Sequence, residues 1–233
     1  MLSATSHAIR ALADPKKAAL CRRFFKTGRG EYGENDKFLG VMVPEIRTLA
    51  KRFHELSILK IQKLLHSPFH EERMLALCIL TRQYDRGDNK MRAQIYDLYL
   101  VSARYINNWD LVDTTAPHIV GRHLEEKSKT ILFRLAGSKN LWRRRIAILS
   151  SFWEIRKGRV GLTLDLAEKL LHDSHDLMHK AVGWMLREVG KKDCMALRKF
   201  LDAHAATMPR TMLRYAIERF TKNERRQYLQ KHT

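Results

Sequence analysis

Cysteine is scarce in this chain of 233 residues, with three in all, Cys21, Cys78 and Cys194. They are far apart, odd in number and without CxxC spacing, which argues against a disulfide framework and a zinc ribbon. Only 5 prolines and 11 glycines occur, too few for a collagen-like or low-complexity chain. No linker rich in Pro, Gly or Ser interrupts the sequence, so one domain is expected over residues 1–233. No apolar run approaches the ~18 residues of a membrane span, and no long apolar core precedes a cleavage site. The opening MLSATSHAIRALADPKKAAL has some transit-peptide character, but Asp14-Pro15 reads better as a turn between two helices. A cytoplasmic monomer with no membrane partner is expected. Acidic residues are also few, 25 against 44 Lys plus Arg, for a formal charge of +19. A compact domain with that excess repels itself, so the charge points to a polyanionic partner. With 45% hydrophobic residues, a chain of this length buries a core without needing disulfides or metal.

What is abundant is helical periodicity. PEIRTLAKRFHELSILKIQKLL, EERMLALCILTRQY, RRRIAILSSFWEI and LMHKAVGWMLREV place apolar residues at i, i+3, i+4 and i+7, and strand-like alternation is absent. Ser67-Pro68, Gly137-Ser138, Gly158, Asp173-Ser174 and Met208-Pro209 read as helix stops followed by caps or first-turn prolines. Aligning Ser67, Ser102, Ser138 and Ser174 as position zero gives spacings of 35, 36 and 36 residues. Six residues on stand Arg73, Asn108, Arg144 and Lys180; nine on stand Ala76, Leu111, Ala147 and Gly183, where a small residue would let helices approach closely. A period in the mid-thirties with two helices per unit predicts an all-α, HEAT-like helical repeat solenoid with a concave basic face.

Several motifs have bland explanations. Gly28-Arg29-Gly30-Glu31-Tyr32-Gly33 matches G-x-G-x-x-G, but a helical stretch precedes it where a dinucleotide site needs a strand. A helix C-cap at Gly28 and an exposed loop up to Phe38-Leu39-Gly40 is the expectation. His66/His70 and His175/His179 have i, i+4 spacing, yet no HExxH and no convincing third ligand accompany them. Helix-start, phosphate-contacting or solvated histidines are expected, and no metal. Arg143-Arg144-Arg145, Arg22-Arg23, Lys51-Arg52, Arg187, Lys191-Lys192, Arg214 and Arg225-Arg226 recur without comparable acidic runs. Cations repeated at solenoid spacing can track a phosphate backbone.

The sharpest signal is Asn107-Asn108-Trp109-Asp110-Leu111-Val112-Asp113, in the repeat that fits least well. Asp110 stands where the other repeats have Leu75, Ile146 and Val182, and Asp113 where they have Cys78, Leu149 and Met185. Carboxylates at otherwise apolar positions are costly, and such breaks of local consistency tend to mark functional sites. Asp110 is expected to cap a helix and Asp113 to function, the alternative being an ion pair with a neighbouring Arg. Trp109 and Asp113, four apart, share one helix face. Trp184 aligns with Leu77, Val112 and Ile148, which makes core packing its default, and Trp142 and Trp153 flank an apolar helix and are expected to pack.

Asn107-Asn108-Trp109-Asp110-Leu111-Val112-Asp113, Trp142-Arg143-Arg144-Arg145-Ile146-Ala147 and Lys180-Ala181-Val182-Gly183-Trp184-Met185-Leu186-Arg187-Glu188 together resemble the AlkD-type alkylpurine DNA glycosylases. Phe24-Phe25-Lys26-Thr27-Gly28 and Phe38-Leu39-Gly40-Val41 before Pro44 are similar to that family too, so that the resemblance spans roughly residues 15 to 220. It implies a HEAT-like fold and excision of N3- and N7-alkylated purines from double-stranded DNA, without drawing the base into a pocket. It implies a catalytic cleft formed by Trp109, Asp113 and Trp184, with Arg145 contacting DNA; Arg144, Arg187, Lys180 and Phe24 join it as expected DNA-binding residues. The chain departs from the best-known members by Asn108 in place of an aromatic residue, Phe24 in place of Tyr, Met42 near a polar position, and a longer loop from Gly30 to Lys37. These bear on substrate range and rate.

That chemistry suits the residues. A purine alkylated at N3 or N7 is cationic and already a good leaving group. The site must stabilise a sugar of oxocarbenium character, which a carboxylate at Asp113 can do while positioning water. Tryptophan faces attract a cation. Neither a metal nor an organic cofactor is required. The rivals are a non-catalytic nucleic-acid-binding HEAT-repeat scaffold, in which Asp113 is only an ion-pair partner; a protein adaptor, which would expose apolar anchors; and a Schiff-base lyase using Lys180.

Overall fold

The structure, a computed structural model, describes residues 4–231, and among these every regular element is helical apart from one isolated bridge between Lys37 and Phe69. The chain divides into two compact units, Met1–Thr115 and Ala116–Thr233.

The first unit contains α1 (Ala4–Arg10), α2 (Pro15–Phe24), α3 (Val43–Arg52), α4 (Ile58–Leu65), α5 (His70–Arg86), α6 (Asn89–Val101) and the five-residue α7 (Trp109–Asp113). The expected turn at Asp14-Pro15 is present: the Asp14 carboxylate accepts from the Lys16 and Lys17 amides, and Pro15 opens α2. The long periodic stretch from Pro44 to Leu65 is two helices, broken at residues 53–57, with Ser57 in extended conformation before α4. Helix α5 is central, packing against α1, α3, α4, α6 and α7, and its apolar residues Leu75, Ala76, Leu77, Ile79 and Leu80 have no exposed surface. Helix α2 ends at Phe24 with Phe25 as its C-cap, not at Gly28; Gly28 instead donates its amide to Glu31 inside the loop. Gly40, at φ +82°, lies so close to the Asp14 carbonyl and the Ala18 amide that no Cβ fits.

The second unit opens on a π-helical turn, Pro117–Gly121, followed by α8 (Thr130–Ala136), α9 (Leu141–Ser150), α10 (Phe152–Arg156), α11 (Gly161–Lys169), α12 (Asp176–Lys192), α13 (Cys194–His204), α14 (Arg210–Ala216) and α15 (Lys222–Gln230). Helix α12 is its centre, packing on α9, α10, α11, α13 and α14. Gly183 serves the close approach that its register implied: a Cβ there would strike the Met212 carbonyl and Tyr215 on α14.

The repeat register is visible in the helix starts. Helices α5, α9 and α12 begin three, three and two residues after Ser67, Ser138 and Ser174, whereas α7 begins seven after Ser102 and is far shorter. The aligned serines are not the caps; the N-caps are Phe69, Asn140, His175 and, for α7, Asn108.

Candidate functional site

The site begins with a helix too short to stand alone. Five residues cannot repay the cost of nucleation, so α7 is held by its surroundings. Its N-cap, Asn108, is fully buried and accepts the Trp109 amide at 2.8 Å. The Asp110 carboxylate accepts the Leu111 amide at 2.8 Å and, on its other oxygen, the Nε2–H of His70 at 2.8 Å. Asp110 therefore sits in the first turn and the cap belongs to Asn108, a correction to the sequence expectation.

His70 is the first residue of α5 and is 3% exposed, so neither a solvated surface nor a phosphate contact describes it. Its Nδ1 lies 3.5 Å from Asp36, at ion-pair distance but without hydrogen-bond alignment. Asp36, buried within the loop after α2, accepts from Arg73 at 2.7 Å and from Asn107 at 3.3 Å, with Asn108 at 3.4 Å. Burial works against the His70 charge, but Asp110 and Asp36 overcome it and hold the pKa up to about 9. Burial likewise works to raise the Asp36 pKa, and His70 with Arg73 holds it below the ordinary value. Two carboxylates, an imidazolium and a guanidinium thus close on one another beneath α7. This cluster escaped the sequence reading: Asp36 is 37 residues from Arg73 and sits in a loop without periodicity. His66 has a separate place, its ring stacked on Tyr105 at 4.0 Å.

Above the cluster, Trp109 and Asp113 mark the two ends of α7, and both are half-buried. Phe24, 65% exposed at the end of α2, meets Trp109 edge-on at 5.8 Å, and Phe25 stacks on it at 5.5 Å. Behind Asp113 the Tyr99 hydroxyl is 2.9 Å from Thr115 Oγ1, which itself donates to the Leu111 carbonyl, so Tyr99 donates to Thr115. Burial, with the Asp113 charge adding to it, pushes the Tyr99 phenol well above its ordinary pKa and keeps it neutral.

The remaining expected site residues lie in the second unit. Trp184 is half-buried rather than core; its Nε1–H donates to Glu188 at 3.1 Å, and its ring is 6.1 Å from Phe152. Glu188 also takes Lys191 at 2.7 Å and Arg187 at 3.5 Å, while Arg187 reaches Glu218 with its other nitrogen. Arg145 is 4% exposed and donates to the Leu177 carbonyl at 2.5 Å. Arg144 holds Asp173 with two bonds, of 2.5 and 3.1 Å, and reaches the carbonyls of Ser138 and Lys139 at 3.0 Å each. Lys180 pairs with Asp176 at 2.7 Å. Trp142 is buried, as expected, whereas Trp153 is half-buried, with Arg122, Arg156 and Lys157 within 5.7 Å of its ring. His175 caps α12 through Nδ1 and His179 donates to the Asp173 carbonyl. Among the described residues no three His, Cys, Asp or Glu side chains gather to hold a metal ion, and no helix is long and apolar enough to cross a membrane.

The sequence model of a family described as "DNA alkylation repair enzyme" matches residues 5–220. No curated protein matches. A solved structure titled "Predicted DNA alkylation repair enzyme from Enterococcus faecalis" is similar in fold, with a TM-score of 0.68 at 18% identity, covering 90% of this chain and 97% of that one.

Proposed function

The chain belongs to the family of DNA alkylation repair enzymes, and we propose from that premise that it is a monofunctional DNA glycosylase, cytoplasmic and monomeric, which hydrolyses the N-glycosidic bond of N3- or N7-alkylated purines in double-stranded DNA. The observation that carries the proposal is α7: a helix of five residues, bearing Trp109 and Asp113 and pinned from beneath by His70, which holds Asp110 of the helix, and by Asp36, which faces His70 and accepts from Asn107 and Asn108. A short helix held so firmly keeps the two side chains fixed, as catalysis by preorganised charge requires.

Alkylation leaves the purine cationic, so the glycosidic bond breaks with its electron pair moving to the ring and a neutral base departing. Asp113 offsets the positive charge that develops at C1′ and orients the water that attacks it; the proton released passes to the carboxylate or to solvent. Trp109 and Trp184 each offer an aromatic face to the cation, worth about 0.5–2 kcal/mol, and Glu188 fixes the Trp184 ring. Arg145 contacts a phosphate of the lesion strand, with Arg187, Lys180 and Phe24 adding contacts to DNA, while Arg144 is taken up by Asp173 and the Ser138 and Lys139 carbonyls. The net charge of +19 supports a phosphate-rich partner. Lys180, engaged by Asp176, takes no part as a nucleophile. Incubation with duplex DNA containing N7-methylguanine, followed by detection of free base, tests the assignment: release above the rate in buffer is expected, and its absence refutes it.

A further inference from the structure

A cleft opens in the first unit at the end of α5 opposite His70. Twelve residues of that helix, about 18 Å of its length, separate His70 from Arg82. The cleft measures about 320 Å³ and lies between the end of α5 and the break at residues 53–57 that joins α3 to α4. Leu56, Ile58 and Met91 give it an apolar wall, and Arg82, Gln83 and Arg86 give it polar groups. Gln83 pins the break, its Nε2 donating to the carbonyls of His54 at 2.7 Å and Leu56 at 2.8 Å. Those two acceptors fix the orientation of the amide, and its other end, Oε1, is buried without a hydrogen-bond partner. Arg82 is half-buried, and its Nε–H is also buried without a partner. Arg86, one turn further on, is exposed, and Ser57, the N-cap of α4, makes no capping bond with its side chain. The acid that lines the cleft, Glu55, keeps 89% of its side chain in solvent, 3.7 Å from His54 Nε2.

A buried polar group without a partner is costly, and native folds rarely keep one without a reason. Here two of opposite kind, an N–H donor on Arg82 and a C=O acceptor on Gln83, belong to residues that line one cleft. A ligand that satisfies both presents acceptor oxygens to the guanidinium and a hydroxyl to Gln83. Sulfate and a simple carboxylate offer only acceptors near neutral pH. So does the phosphodiester of a nucleic-acid backbone, which has no proton to give. A phosphate monoester has three oxygens to spread over Arg82, Arg86 and the Ser57 hydroxyl, and guanidinium forks match that geometry. Its second pKa of about 6 leaves one oxygen protonated in part of the population near neutrality. Leu56, Ile58 and Met91 can seat the carbon body of the ester.

We propose that this cleft is a binding site for a phosphate monoester, held by Arg82 and Arg86, with its protonated oxygen donating to Gln83. The site stands apart from α7 and does not depend on the glycosylase assignment. Calorimetric titration at pH 6 and constant ionic strength tests it, with inorganic phosphate and sulfate as probes. The two anions are similar in size, and phosphate carries the smaller charge at that pH, so general attraction to a basic protein favours sulfate. A donor to Gln83 favours phosphate. Phosphate should bind saturably at one site, about tenfold more tightly than sulfate. Arg82→Leu should weaken it about tenfold or more, and Arg82→Lys, which keeps the charge and removes the Nε–H, should lose most of the same affinity. Lys60→Ala, which removes an exposed charge outside the cleft, should change nothing. Melting curves confirm that each variant folds, and Arg82→Lys decides if Arg82→Leu does not. Two further probes distinguish the source of the phosphate. Adenosine 5′-monophosphate binding more tightly than phosphate identifies a free ester; competition by a 5′-phosphorylated duplex, and not by its 5′-hydroxyl counterpart, identifies a strand end. Sulfate binding as tightly as phosphate, binding that never saturates, or a phosphate affinity that the Arg82 variants leave unchanged would overturn the proposal.

Discussion

Replacing His70 by Gln keeps a polar side chain of similar size between Asp36 and Asp110 and removes the positive charge that both carboxylates face. In the folded protein burial disfavours that charge, but the carboxylates hold the pKa to about 9, against an ordinary 6.5. A folded-state value above the unfolded one means that folding favours the protonated ring. The resulting stability is complete below about pH 6.5 and lost as pH rises through about 9. Those two values give about 3 kcal/mol at pH 6, about 2 kcal/mol at pH 7.5 and a few tenths at pH 9.5. For a chain of this length 1 kcal/mol moves Tm by about 2–4 °C, so the charge alone accounts for about 6–12 °C at pH 6. Lost packing against Phe25 and Phe38, whose ring centroids lie 4.9 and 4.8 Å from the imidazole, adds a gap that does not depend on pH. Thermal melts of wild type and His70→Gln, followed by circular dichroism at pH 6, 7.5 and 9.5, read the difference directly. The gap should narrow steadily as pH rises. A gap of the same size at pH 6 and 9.5 would refute the charge cluster as the support of α7.

Gly183→Ala should lower stability by about 1–3 kcal/mol in urea titrations, because the methyl group meets the Met212 carbonyl across the α12–α14 contact. Arg144→Ala should cost about 3 kcal/mol in the same assay by stranding the buried Asp173 carboxylate; a neutral result would mean that the pair contributes nothing. Arg145→Ala should weaken DNA binding and excision together and, because its guanidinium is buried on the Leu177 carbonyl, should lower Tm as well. DNA affinity measured by fluorescence anisotropy should fall about 10³-fold or more between 50 and 200 mM salt, and a flat response would remove DNA phosphates as the partner of the +19 charge.

The helical period and the repeat register were legible because apolar spacing records burial, and a small residue at Gly183 records a close backbone approach. The candidate site stood out in the second repeat as an inconsistency: two carboxylates where apolar side chains belong, on the repeat whose helix is only five residues long. The same register misleads where one residue type serves two purposes. The arginines six residues beyond Ser67 and Ser138 fit a phosphate-tracking row, yet both perform a local duty. Arg73 reaches the Ser67 carbonyl at 3.0 Å and Asp36; Arg144 reaches the Ser138 carbonyl at 3.0 Å and Asp173. In each case the arginine joins the preceding turn to a distant acid, and no local pattern names that acid. His70 was obscured for a similar reason. Its partners, 34 residues before it and 40 after it, are brought to it only by the packing of α5 and α7 and the return of the loop after α2.

Asp113→Asn tests the central claim most directly, because it keeps the size of the side chain and removes only its charge. Single-turnover release of N7-methylguanine and thermal melting should be measured on the same preparation. If the carboxylate stabilises the sugar cation and aligns water, excision falls about 10²–10³-fold, or about 3–4 kcal/mol in the transition state. DNA affinity then stays the same or tightens slightly, and Tm is unchanged or higher. An excision rate equal to that of the wild type, or one that falls only in proportion to a lowered Tm, would contradict the account.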